Sequence, residues 1–148
     1  MLQPGDKAPD FILSDQSGAR IRLAAYHGKP VALFFYPRDG STVCTREACA
    51  FRDNHSEFRE LGAVVLGISP DSEASHRRFA DRHSLPFSLL VDAGGTVARA
   101  FGVPRTLGLL PGRATFVIDS TGVIRAAWSA PFKADAHVRR ALETVSSL

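Results

Sequence analysis

The sequence predicts an α/β domain in which a central mixed sheet is flanked by helices and preceded by an N-terminal β-hairpin extension. Three observations carry this. Val31–Tyr36 (VALFFY) and Ala63–Ser69 (AVVLGIS) are continuous apolar runs, as in strands covered on both faces. The stretches after them place apolar residues three and four apart, the repeat of a helix with one buried stripe. Ala114–Asp119 and Val123–Trp128 read as strands joined at Ser120-Thr121-Gly122, a hairpin turn.

The elements follow in order. Short apolar stretches at Phe11–Leu13 and Ile21–Leu23 flank the turn signal Ser17-Gly18 and form the hairpin. Pro37 ends the first central strand. After the polar stretch RDGST, the stripe Ala48, Phe51, His55 and Phe58 predicts one helix of about five turns. Ser41 or Thr42 caps its start, and Glu47 favours its first turns electrostatically. Gly62 follows its end. Ser72–His83 is a helix capped by Asp71 or Ser72, with Phe79 on its apolar side. Phe87–Val91 is a strand, Thr96–Phe101 a short helix and Val103–Arg113 a loop. Ala134–Ser147 closes the chain as a helix with Val138, Leu142 and Val145 inward. The order is β-α-β-α-β-α-β-β-α, parallel strands with crossover helices and a terminal hairpin.

With 148 residues and no linker, repeat or low-complexity tract, the chain is expected to be a single domain, 1–148. No apolar run approaches the roughly 20 residues of a membrane span. MLQPGDKAPDF shows no basic stretch followed by an apolar one, so a cytoplasmic location is expected. The net charge of +3 comes from basic residues scattered among acids, as in RRFADRH and VRRALE. Without a basic run or aromatic interleaving, this reads as a solvated surface and not as a nucleic-acid site.

There are two cysteines, Cys44 and Cys49. A staple between them would close almost no loop and stabilise the fold little. The five histidines (His27, His55, His76, His83 and His137) are dispersed and give no metal-ligand pattern. No metal or cofactor is expected, and redox chemistry remains. His55 and Trp128 read as packing residues, Arg38 and Asp39 as solvated loop charges, and Arg52 and Asp53 as a pair bracing the helix.

A cysteine attacks as the thiolate, and a free thiol of pKa about 8.5 is only a few per cent ionised near neutral pH. Cys44 lies in the first turn of its helix, where unpaired amides and the positive dipole end favour an anion. That is worth ~0.3–1 kcal/mol, or ~2 if partly buried. Lowering a thiol pKa by about two units takes ~2.7 kcal/mol, so a cation is needed as well.

Residues 36–53, YPRDGSTVCTREACAFRD, resemble the active-site segment of peroxiredoxins, above all the bacterioferritin-comigratory or Q-type group. The family pattern falls on Pro37, Ser41 and Cys44, and the group's frequent second cysteine on Cys49. GDKAPDFIL, GISPDS, FSLLVD and GRATFVID extend the likeness over nearly the whole chain. The resemblance implies a thioredoxin-like fold and a thiol peroxidase acting on hydrogen peroxide and organic hydroperoxides. By position, Cys44 is then the peroxidatic thiol and Cys49 the resolving one. Arg113 is the cation that holds the thiolate and orients the peroxide. Ser41 offers its hydroxyl, the Val43 and Cys44 amides complete the polar shell, and Pro37 walls the pocket. Thioredoxin or a similar dithiol is the implied reductant. Two positions depart from the family's usual pattern: Ser41 stands for threonine, and Thr42-Val43 for Pro-Gly. The loop around Leu107–Pro111 also looks short.

With both cysteines in one chain, a monomer suffices. Were both to stay on one regular helix, their Cα atoms would be ~8.7 Å apart, from ~7.5 Å of rise and ~140° of rotation. A disulfide needs about 4.4–6.8 Å, so the first turns of this helix are expected to unwind in each cycle. Two other readings share the same residues. A disulfide reductase of the thioredoxin type would have Cys-x-x-Cys, which is absent. A peroxide-sensing thiol switch would share the first step.

Overall fold

The computed structural model describes residues 1–105, 112–129 and 134–148. Five strands form the central sheet in the order β5-β4-β3-β6-β7. They are β3 (Val31–Phe35), β4 (Val64–Ser69), β5 (Ser88–Val91), β6 (Ala114–Ile118) and β7 (Ile124–Trp128). β3 runs parallel to β4, and β4 to β5, while β6 is antiparallel to β3 and β7. β1 (Ile12–Ser14) and β2 (Arg20–Arg22) make the separate hairpin at the expected place. The mixed sheet, its flanking helices and the hairpin agree with the fold read from the sequence.

Residues of β3 alternate between two cores. Ala32 and Phe34 join the cluster beneath α1 (Thr42–Asp53), α2 (His55–Glu60), α3 (Glu73–His83) and α5 (Ala134–Ser146). Val31, Leu33 and Phe35 join the opposite cluster, closed by α4 (Thr96–Ala100), Phe101 and the N-terminal segment. This is the two-residue repeat of a strand buried on both faces. Phe34 stacks on Phe51 with ring centroids 4.6 Å apart. It faces Gly67 of β4, where an added Cβ would lie 2.8 Å from both Phe34 Cζ and Leu89 Cδ2. Only glycine leaves room for the Phe34 and Leu89 side chains of the two flanking strands to meet over β4.

Two expectations change here. The long helix after Ser41 is broken at Asn54, whose backbone N–H and side-chain amide both donate to the Ala50 carbonyl. An asparagine that caps its own preceding turn competes with continuation of the helix. The stripe nevertheless survives the break, with Phe51 and Phe58 both fully buried. Second, Glu47 is no first-turn surface charge. It is 1% exposed, facing the sheet and α5. The loop expected over Val103–Arg113 carries no regular structure in its described residues, and Leu107–Pro111 lies outside them.

Candidate active site

β3 delivers the chain to the site, the loop 36–40 turns it, and Ser41 starts α1. The Ser41 hydroxyl oxygen accepts a hydrogen bond from the Cys44 backbone N–H at 3.4 Å, which is the N-cap expected of it. Cys44 thereby sits in the first turn of a twelve-residue helix, at the end where the backbone carries partial positive charge. Its thiol is completely buried. The Cys44 N–H, expected in the polar shell around the sulfur, donates here to the Ser41 hydroxyl.

Arg113 comes from the segment entering β6, the antiparallel neighbour of β3. It precedes β6, and its parity with Thr115 and Val117 aims it at the face that carries α1. Its carbonyl accepts from Ser129 Oγ at 2.8 Å, and Gly112 packs so closely on the Pro104 carbonyl that a Cβ would overlap it. From there Arg113 Nη2 donates to Cys44 Sγ at 3.2 Å. The guanidinium is 11% exposed, and its planar N–H donors stand at the place where the sequence calls for a cation. Pro37 is half-buried between Tyr36 and the exposed Arg38. Cys49 lies farther along α1, half-buried, and both thiols are free.

Behind Cys44 lies a second charge. Glu47 Oε1 is 3.9 Å from Arg113 Nη1, and Oε2 is 3.6 Å from His137 Nδ1 of α5. Thr115 Oγ1 stands 3.5 Å from the same nitrogen. Burial pushes the Glu47 carboxyl up to about 7, against the downward pull of Arg113. Sequence reasoning missed Glu47 as a site neighbour. The signal was its position three residues after Cys44, on the same helix face.

Asp39 is the other correction. It is not a solvated charge: its side chain is 5% exposed. Oδ1 accepts from Tyr36 Oη at 2.6 Å, and Oδ2 accepts from Ser75 Oγ at 2.9 Å and lies 2.6 Å from His76 Nδ1. His76 Nε2 donates to the Leu90 carbonyl at 2.8 Å. Burial lowers the His76 pKa, but the Asp39 hydrogen bond and charge outweigh it, and the net shift is upward. Asp71 Oδ2 accepts from the Asp39 N–H at 2.7 Å. Asp39, Asp71 and His76 offer ligand atoms within 4.8 Å of one another, but these atoms are already engaged in hydrogen bonds. Arg52 and Asp53 pair at 3.0 Å as expected, and Arg52 also donates to the His83 carbonyl, tying α1 to α3.

A buried thiol at a helix start, with an arginine on its sulfur, on a thioredoxin-like sheet, defines a thiol-dependent peroxidase. Comparison with known proteins agrees. The model of the AhpC/TSA family matches residues 4–127. The chloroplastic peroxiredoxin Q of Sedum lineare is 44% identical over 145 residues, 97% of this chain and 78% of the relative. That of Oryza sativa subsp. japonica is 43% identical over 148 residues, 99% and 68% of the two chains. The crystal structure of peroxidoxin BcpB from Mycobacterium tuberculosis superposes with a TM-score of 0.92 at 41% identity, covering 100% and 99%. A Xanthomonas campestris bacterioferritin comigratory protein, described for its alkyl peroxide reduction activity, gives 0.86 at 29%, covering 99% and 96%.

The chain belongs to the AhpC/TSA family, among the peroxiredoxins of the Q or bacterioferritin-comigratory type, and is a peroxidase. A peroxide substrate and a thioredoxin-type reductant come with that family. The cytoplasmic location expected from the sequence is overturned. The curated relatives are chloroplastic proteins, and the structural neighbours are bacterial.

Proposed function

We propose that Cys44 is the peroxidatic thiol, Cys49 the resolving thiol, and Arg113 the group that holds the attacking sulfur and the peroxide. The observation that carries this is the 3.2 Å hydrogen bond from Arg113 Nη2 to Cys44 Sγ at the start of α1. The thiolate forms an S–O bond with one peroxide oxygen and the O–O bond breaks. The alkoxide or hydroxide that leaves takes up a proton, and Cys44 is left as the sulfenic acid. Fixed N–H donors around the sulfur stabilise the charge that moves onto the departing oxygen.

The Cys49 sulfur then displaces the sulfenic oxygen as water, giving an intramolecular disulfide. Cys44 is completely buried and Cys49 half-buried, both on α1, so this step requires the first turns of α1 to open. A dithiol of the thioredoxin type reduces the disulfide by exchange. Pro37 bounds the pocket and Ser41 shapes its floor through the cap. The work is done within one 148-residue domain, and a monomer suffices because both thiols belong to one chain. Hydrogen peroxide and organic hydroperoxides are the substrates. The alkyl peroxide reduction ascribed to the Xanthomonas relative supports the second class.

Stopped-flow oxidation of the reduced protein by hydrogen peroxide and an organic hydroperoxide tests the assignment. Cys44→Ser loses the reaction with both. Cys49→Ser keeps the first oxidation and loses turnover with thioredoxin. Normal peroxide consumption by Cys44→Ser would overturn the reading.

A further inference from the structure

We propose that the two grooves flanking α1 form the docking surface for the reductant, and that the partner they fit is a dithiol protein with acidic side chains around its attacking cysteine. This rests on the resolving role of Cys49 given above.

One groove, about 620 Å³, runs between the start of α1 and α3, with Thr45, Arg46, Arg78, Arg82 and His83 in its walls. The other, about 560 Å³, runs between α1 and α5, with Arg46, Cys49, Asp53, Asp135 and Arg139. Arg46 belongs to both, so a cationic band crosses α1 beside the half-buried resolving thiol. Among the described residues, Arg22, Arg52, Arg77, Arg113 and Arg125 have a carboxylate partner, and Arg20, Arg38, Arg59, Arg99, Arg105 and Arg140 have none, so what sets the groove arginines apart is their gathering on both sides of Cys49. Among the described residues, Arg46, Arg78, Arg82 and Arg139 form no ion pair, and all four are exposed.

Two of the acids in the groove walls are engaged elsewhere, while Glu57 and Asp135 stand together beside Arg139 alone of the four arginines. Asp39 is buried on His76, and Asp53 is held by Arg52. Asp135, in the first turn of α5, is the remaining acid in the groove walls. Nor is the surface apolar: the large exposed hydrophobics of the described residues are Met1, Ile12, Leu61 and Leu148, none of them in these walls. Recognition here is therefore electrostatic, which steers encounter and sets orientation, and which salt weakens. A neutral small dithiol gains nothing from it.

The geometry also suits the exchange. Arg46 lies between the two cysteines and moves with them when the disulfide forms, whereas Arg78, Arg82 and Arg139 sit on α3 and α5 and form the fixed rim. The partner's thiolate bonds to Cys49 Sγ as the Cys44–Cys49 bond breaks, and Cys44 leaves as the thiolate to return beside Arg113. The partner's second thiol then attacks its own mixed-disulfide sulfur and gives up its proton. Cys49 departs and is protonated. The partner is oxidised to a disulfide and this chain is reduced, two electrons in all.

The test uses the full chain in its disulfide form, reduced either by dithiothreitol or by a thioredoxin bearing acidic residues around its active cysteine. Arg82→Glu/Arg139→Glu is expected to lower the second-order rate with thioredoxin by about tenfold or more at low salt. The rate with dithiothreitol and the peroxide oxidation of Cys44 stay unchanged, and Arg82→Lys/Arg139→Lys retains the parent's thioredoxin rate. The parent's advantage with thioredoxin shrinks as salt rises. An equal loss with dithiothreitol, an unchanged thioredoxin rate in the charge-reversed variant, or salt independence would overturn the proposal. Normal thioredoxin turnover by Cys49→Ser would instead overturn the resolving role beneath it.

Discussion

Two buried polar clusters flank α1, and they are built to opposite standards. Around Asp39, its two carboxylate oxygens and both His76 nitrogens lie 2.6–2.9 Å from their partners. Around Glu47, the contacts stretch to 3.6 and 3.9 Å. Glu47 Oε1 and Arg113 Nη1 are buried with no hydrogen-bond partner among the described residues. A fully satisfied buried network is rigid and costly to disturb, whereas a half-satisfied one gives way at lower cost. The first cluster pins the loop before Cys44 to α3. The second lies between the two cysteines, on the part of α1 proposed to open for them to meet. The contrast separates the anchor from the moving part.

The anchor yields the largest expected effect on folding. Asp39→Ala strands Tyr36, Ser75 and His76 in the interior and is expected to cost about 3–5 kcal/mol in urea unfolding. The pH dependence has a definite sign. The raised His76 pKa means that this pair contributes fully below the ordinary histidine value, and that the contribution fades as pH climbs through the folded value. Little loss in Asp39→Ala would break the distinction between the clusters.

On the catalytic side, Arg113→Ala is expected to slow single-turnover oxidation of Cys44 by about 100- to 1,000-fold while leaving the fold intact. Arg113→Lys should recover part of this, since the charge remains but the forked donors do not.

Glu47→Gln sharpens the comparison further. The carboxyl rises from 4.5 to about 7 on folding, so its contribution is fully present below 4.5 and is lost as pH rises through 7. The whole span is on the order of 3 kcal/mol. Unfolding free energies measured at pH 5 and pH 8 should therefore differ less in Glu47→Gln than in the parent. Identical pH profiles would show that Glu47 does not titrate in place. The smallest effect belongs to Ser41→Ala, which removes the cap on the Cys44 amide and should lower stability by about 1 kcal/mol in the same unfolding assay.

Much of this was legible in the sequence, because the deciding signals are local. The runs VALFFY and AVVLGIS mark strands, Ser41 and Ser72 cap helices as expected, and the terminal hairpin lies where its turn residues put it. The meeting of Arg113 with Cys44 followed from the family resemblance, and the Ser41 cap from the residues themselves. What stayed hidden depends on distant partners. Asp39 is buried because His76, 37 residues later, meets it across α3. Glu47 is buried because Arg113 and His137 come from β6 and α5. A charge in sequence is read as solvated unless its partner is known, and chain separation conceals the partner. The break at Asn54 escaped for a different reason: the apolar stripe runs through it undisturbed, and the break is marked only locally, by the Asn54 side chain turning back to the Ala50 carbonyl.

The account rests on one motion, the opening of α1 between its two thiols. Hydrogen exchange of the reduced and disulfide forms measures it most directly. The account predicts that amides from 44 to 50 lose protection in the disulfide form while those of α3 and β3 keep theirs. Equal protection of α1 in both forms, with the disulfide demonstrably present, would contradict it.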